Sequence, residues 1–302
     1  MSLYELKADL SDLVSPALVI ALDGWVNAAG AAAAAGAYMA KGGEVVIVFD
    51  ADALIDYRAR RPSLEIHDGV LARMNWPELT IRRVRTDRRD LLLFTGPEPD
   101  YRWQALRDAI LELAARLGIV ESVSLGAIPA MVPHTRATPI LVTGRDRGAL
   151  RGDLPLPAKD MEVPASAVNL VEVYLPEIGR PSVGIWAQVP HYVTGPYHAA
   201  ALALVERATG HLGVHLAVDA LVEKVREERA RLDEVVGSRP DARAYLEQLE
   251  AAGPATSVPP GEDIAAEVER FLRETTGDPR NPFEGPPPDR GNPFEDPPSE
   301  LR

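Results

Sequence analysis

Two histidines, an arginine and an aspartate are the residues of this chain whose types and settings could do chemistry. His134 and Arg136 follow an apolar run within SLGAIPAMVPHTRATPI, residues 124–140. Gln188, His191 and Tyr192 end the run GIWAQVPHY, and Asp23, Trp25 and Asn27 follow ALVIAL. An imidazole titrates near neutral pH and can act as a general acid or base, while a guanidinium can clamp an anion. If these three segments end at one edge of a parallel sheet, where such folds place their sites, His134, His191 and Asp23 are candidates for acid/base work and Arg136 for anion binding. With Gly126 and Pro129 they also make up a candidate surface for a ligand or a protein partner. A structural reading stands beside the chemical one. Asp23 or Asn27 can cap the helix that follows, and Pro129, Pro133 and Pro139 can serve only to fix the path of the loop.

Other chemistry is thinly represented. The chain has no cysteine, so it has no disulfide, thiolate nucleophile or thiolate-ligated metal. It carries no GxSxG elbow, Walker-type loop or HExxH, and the first apolar run is followed by DGWVNAAG rather than GxGxxG. Ser122 and Ser124 fall inside an apolar run, away from an exposed turn. Asp50 and Asp52, in FDAD with Asp56 nearby, lack further ligands at useful spacing, so neither metal nor cofactor is expected. Five arginines in residues 82–89, RRVRTDRR, are expected to form a basic, solvated edge strand or a docking surface for an acidic segment.

The elements that must position these residues alternate between short apolar runs and helical patterns. ALVIAL and EVVIVFDAD flank an alanine-rich segment that reads as helix, a β-α-β unit expected to make a parallel pair. LEIHDGVLARM, ELTIRRVRT and DLLLFTG read as a hairpin leading back to a central strand. YRWQALRDAILELAARL has helical spacing and stops at Gly118. IVESVSLGAI and PSVGIWAQVP read as buried strands and ATPILVTG as a further strand; residues 145–163 read as a loop. Helices are expected near 165–175, over YHAAALALVERATGHL, over LAVDALVEKVREERARLDEVVG with Leu216, Leu221, Val225, Leu232 and Val236 on one stripe, and near 241–251 and 262–274. The expected fold is α/β, a mostly parallel sheet with helices on both faces in residues 1–215, plus a helical arm over 216–276.

Residues 277–302 hold 8 of the 27 prolines and two related decapeptides, NPFEGPPPDR and NPFEDPPSEL. A disordered acidic tail is expected there, its two phenylalanines able to act as paired peptide anchors. The net charge of −13 is concentrated late: residues 216–302 hold 20 Asp and Glu against 11 Lys and Arg, leaving −4 before them. That balance argues against nucleic acid as partner. No run is long and apolar enough for a membrane span and the first residues lack the pattern of a signal peptide, so a cytoplasmic protein is expected.

Three motifs in order, DGWVNAAGAAAAA, LGAIPAMVPHTRATPI and GIWAQVPHYV, together resemble the proteasome assembly chaperone 2 family as found in actinobacteria, over residues of about 15–250. The residues matching its motifs are Asp23, Gly24 and Trp25, then Gly126, Ile128, Pro129, Pro133, His134 and Thr135, then Trp186, Pro190, His191 and Tyr192. The resemblance implies a phosphorylase/hydrolase-like fold without the catalytic residues of nucleoside phosphorylases. It also implies a non-enzymatic protein-binding role with proteasome-related partners, in a homo-oligomer such as a trimer. The chain ends Ser299, Glu300, Leu301, Arg302 and lacks the hydrophobic-tyrosine ending with which docking relatives insert into the proteasome ring. The alternative expectation is a hydrolase or phosphorylase-like enzyme for an anionic or nucleoside-like substrate, which requires Asp23, His134 and His191 to surround one cavity.

Overall fold

The computed structural model of the chain describes residues 3–145 and 162–252. Most of the expected loop over 145–163, the helix expected at 262–274 and the proline-rich tail at 277–302 lie outside the described residues. Four strands buried on both faces form the centre of an eight-stranded sheet. In spatial order they are β7 (Asp90–Pro97), β2 (Ala17–Asp23), β8 (Glu121–Ala130) and β10 (Ser182–Pro190), each parallel to the next. β2 shows why. Ala17, Val19 and Ala21 enter one buried cluster, and Leu18, Ile20 and Leu22 enter another on the opposite face. A strand with no polar face can only sit between two layers of helices.

The first cluster is roofed by α1 (Ala31–Met39) and α5 (His198–Leu212), and the second by α3 (Trp103–Arg116), α4 (Asn169–Tyr174) and the short α2 (Ala51–Leu54). In α3, Leu106, Ile110 and Leu113 are buried at the spacing the sequence suggests. The alanines of α1 let it lie close to the sheet, with Ala31, Ala32 and Ala35 fully buried. Two more helices, α6 (Asp219–Gly237) and α7 (Pro240–Ala251), form the arm. Leu221 of α6 and Leu249 of α7 join the first cluster, so the described arm packs on its own chain.

Antiparallel strands complete the sheet. β6 (Thr80–Arg85) pairs with β7, β3 (Glu44–Phe49) with β6, and β1 (Tyr4–Leu6) with β3, while β9 (Ile140–Gly144) pairs with β10 at the other edge. The sheet is therefore mixed around a parallel centre. Two expectations need correction. β2 and β3 run in the same direction but are not neighbours, because β7, apolar on both faces, takes the place beside β2 and brings β6 with it. The arginine-rich segment is not an edge: β6 is interior, and Arg83 is buried. Its Nε lies 2.8 Å from Asp90 Oδ1, and its Nη1 lies 2.6 Å from Asp12 Oδ1. Arg89 pairs in turn with Glu121 at the start of β8. Carboxylates drawn from distant parts of the chain thus take up much of the positive charge.

β4 (Ser63–His67) and β5 (Val70–Asn75) form a separate antiparallel hairpin. A bulge between Glu65 and Ile66 keeps the pairs Leu64/Met74 and Ile66/Leu71 on one face, with Ser63/Asn75 and Glu65/Arg73 on the other. All four apolar residues are exposed.

Candidate functional site

The three motifs meet at the carboxyl ends of β2, β8 and β10, and each is held by a polar contact. After β2, the Asn27 side chain accepts the Ala33 N–H at 2.9 Å and donates to Asp23 Oδ1 at 2.7 Å. Asp23 and Asn27 therefore organise the start of α1, and the Ala127 N–H donates to the Val26 carbonyl to tie the turn to β8. Gly24 is glycine because the Glu98 side chain occupies the space that a Cβ would fill. Glu98, directly after β7, accepts the Trp25 N–H at 2.7 Å on one oxygen. On the other it accepts the Ser166 hydroxyl and the Ala167 N–H. Trp25 itself is half exposed.

In β8, Gly126 faces the Trp186 indole of β10, which would collide with any side chain there. Trp186 Nε1–H donates to Thr143 Oγ1 of β9 at 2.7 Å, and Thr143 donates to Glu172 Oε2 at 2.6 Å. Ser124 Oγ lies 2.5 Å from the other Glu172 oxygen. Burial holds the Glu172 carboxyl above its ordinary pKa despite the donors from Ser124, Thr143 and Asn169. Ser124 is thus committed to a buried carboxyl group inside the sheet. Gln188 is buried too, and its Oε1 has no hydrogen-bond partner among the described residues.

The loop after β8 lies beneath the arm. Pro129 pairs with Val189 in the ladder, and the His191 N–H reaches the Ala130 carbonyl at 3.1 Å. The Tyr192 hydroxyl lies 2.8 Å from both the backbone nitrogen and Nδ1 of His134. Because it accepts the amide proton, it donates its own to Nδ1. Nε2 then carries the ring proton and points it at Asp233 Oδ1 of α6, 3.3 Å away. Desolvation lowers the His134 pKa, with Arg229 acting in the same direction and Asp233 and Glu250 against it, so the ring is held neutral. Arg229 brackets Asp233 at 2.9 and 3.0 Å and donates to the His134 carbonyl at 2.7 Å. From α7, Glu250 accepts the Thr135 hydroxyl on its side chain and Arg136 Nη2 on its backbone carbonyl.

His134 and His191 flank Tyr192, with ring centroids 5.8 and 5.5 Å from it, so the expected proximity is found. Their roles differ. His191 turns its Nε2 to the Tyr245 hydroxyl of α7 at 3.1 Å, whereas the His134 side chain is wholly buried. A cavity of about 660 Å³ opens beside the loop, bordered by His134 and Arg136 but by neither Asp23 nor His191. Of the three acid/base candidates, His134 alone borders this cavity. Both His134 ring nitrogens are engaged within the chain, by the Tyr192 hydroxyl and by Asp233. No group of three or more His, Cys, Asp or Glu residues among those described could hold a metal ion. No helix among them is long and apolar enough to cross a membrane.

Glu98, Glu172, Arg229, Asp233, Tyr245 and Glu250 were not singled out by sequence reasoning. Glu98 had a signal, an acid at the end of an apolar strand. Arg229 and Asp233 read as an ordinary i,i+4 pair on a solvated helix face and gave none.

The sequence model of the PAC2 family matches residues 21–236. Among solved structures, the Mycobacterium tuberculosis protein Rv2714, described as of unknown function, is similar at 32% identity and a TM-score of 0.79, over 90% of this chain and 92% of its own. A PAC2 family protein from Streptomyces avermitilis is similar at 32% identity and a TM-score of 0.67, over 76% and 99%. The M. tuberculosis proteasome-assembly chaperone homologue Rv2125 is similar at 29% identity and a TM-score of 0.69, again over 76% and 99%. No curated protein matches the chain in sequence.

Proposed function

The chain belongs to the PAC2 family, and from that premise we propose that it acts as a non-enzymatic, chaperone-like module that binds proteins, with proteasome subunits as partners. One observation carries this reading. The residues with catalytic potential are used up in holding the motif loops and the arm together, while large apolar side chains stand in solvent. Asp23 secures the α1 turn through Asn27, and His134 closes a Tyr192–His134–Asp233 chain. Trp25, Tyr101 and Met131, which follow the neighbouring strands β2, β7 and β8, are all about half exposed. An exposed apolar surface at the carboxyl edge of a sheet suits a protein partner. The likeness to Rv2125, named as a proteasome-assembly chaperone homologue, supports the choice of partner.

The test uses the full chain and purified α-type proteasome subunits from the same organism. Mixed and run through size exclusion, they are expected to co-elute, and Trp25→Glu is expected to weaken the complex without changing the melting temperature. Separate elution at every concentration, or a complex indifferent to Trp25→Glu and Met131→Glu together, would remove this reading.

The chain is also proposed to act as a homo-oligomer, and the β4–β5 hairpin supports this more than the arm does. A free two-stranded hairpin is marginally stable in water. This one presents Leu64, Ile66, Leu71 and Met74 from a single face, a surface that a second copy can cover.

A further inference from the structure

From the cavity beside the His134 loop we infer a binding site for an uncharged apolar small molecule that carries one hydrogen-bond-accepting oxygen. The site goes beyond protein binding and does not depend on it. Its walls follow from helix periodicity. Ala199, Leu202 and Ala203 come from one stripe of α5, and Val225 and Leu232 come from one stripe of α6. Residues three, four and seven apart share a helix face, so the two stripes line a trough between the helices. Ile140 at the start of β9 and the loop around Arg136 close it. At 1.5 Å per residue, the α5 stripe from Ala199 to Glu206 runs for about 10 Å, a length suited to a medium alkyl chain or a fused ring pair. The volume of about 660 Å³ is that of an ordinary small-molecule pocket.

The charged groups of the wall are engaged within the chain or stand in solvent. Arg136 donates to the Glu250 carbonyl, and Arg229 to Asp233 and the His134 carbonyl. Arg207 also interacts within the chain. Glu228 accepts the His198 and Ala199 amides and faces His198 Nδ1, and Glu206 is exposed and keeps its hydration. A charged ligand of either sign would lose its own hydration without meeting an unpaired opposite charge on the floor. What the wall lacks is an acceptor. Tyr197 and Thr138 both line the trough and set their hydroxyls near each other. Tyr197 is 3% exposed, and Thr138 Oγ1 is sealed from solvent with no hydrogen-bond partner among the described residues. Two hydroxyls can share one proton between them, which leaves the other without an acceptor. Glu228 acts on Tyr197 through its charge only, its oxygens being taken by the start of α5. Burial, aided by that charge, raises the Tyr197 pKa to about 12, so the hydroxyl stays protonated at neutral pH. A ligand carbonyl beside Tyr197 takes the spare proton while its apolar body covers the floor.

Calorimetric titration of the full chain with octan-2-one, octanoate and octylamine at neutral pH tests the site. Saturable one-to-one binding of octan-2-one is expected, with both charged compounds at least about tenfold weaker, the cost of stripping an unpaired charge of water. Tyr197→Phe keeps the ring and removes the donor. It is expected to weaken octan-2-one about fivefold, the loss of one hydrogen bond. Val225→Trp fills the trough and is expected to abolish binding. If that variant misfolds by circular dichroism, the Tyr197→Phe comparison decides alone. Non-saturable octan-2-one, octanoate or octylamine binding as tightly, or a Tyr197→Phe variant with unchanged affinity would each overturn the proposal.

Discussion

Glu172 is the residue at which the chemistry of the sheet is most compressed. Its neighbours on β8 and β10 include Ser124 and Gly184, small enough to admit a carboxyl group into the buried layer. Burial disfavours the charged form, so the folded protein keeps the proton above the pH at which the unfolded chain loses it. The stability that Glu172 contributes is therefore fully present below the ordinary carboxylate range and is lost as pH rises through its raised folded pKa. Thermal melts across that window should show wild-type stability declining, with Glu172→Gln flattening the decline; an unchanged pH profile in the variant would contradict the assignment. Gly126 makes the complementary case. Its Cα packs directly on the Trp186 indole, so Gly126→Ala overpacks the layer and is expected to cost about 1–3 kcal/mol in chemical denaturation.

Between elements, the deciding contacts join the loop after β8 to the arm. Tyr192 offers one hydroxyl to two groups of His134, and α6 and α7 answer with Asp233, Arg229 and Glu250. Tyr192→Phe leaves the His134 amide and Nδ1 without that partner in a buried position and is expected to destabilise by about 1–3 kcal/mol, measurable by denaturant unfolding. Acid should act at the same joint. Because the folded His134 pKa is lowered, its contribution is present above the ordinary histidine value of about 6.5 and is lost as pH falls through the folded value. Hydrogen exchange in α6 and α7 should accelerate over that fall, and equal protection of both helices throughout would argue against the joint. The individual elements were legible in the sequence because β2, β7, β8 and β10 are short apolar-rich runs between turn signals and α3 and α5 keep helical spacing. Their order was not. Nothing in EVVIVFDAD says that β7 will take its expected place beside β2. Nor does VPHTRAT disclose that its histidine will meet Asp233 across 99 residues. The three motifs converge because their strands share one carboxyl edge, and that much the alternation of strands and helices did imply.

For the whole molecule, the question is what covers the β4–β5 hairpin. An amphipathic two-stranded ribbon exposes its apolar face unless something packs on it, and in this chain Leu64, Ile66, Leu71 and Met74 are all exposed. The amphipathic arm is the weaker candidate for self-association, because the stripe of α6 is partly spent inside the chain, where Leu221 is buried in the first core and Leu232 packs against it. The hairpin is the surface left over. Copies related by a closed rotation can bury this face repeatedly, which suits a trimer. Sedimentation equilibrium should then give a multiple of the 32.7 kDa chain, three copies on this view. The double variant Ile66→Glu with Leu71→Lys is the sharper probe. The two positions are directly paired across the hairpin, so opposite charges there support the ribbon while removing half of its apolar face. The variant is expected to sediment as one chain with an intact circular dichroism spectrum. A wild-type chain that stays monomeric at all concentrations, or a double variant that assembles as well as the wild type, would mean that the hairpin is not the surface through which copies meet.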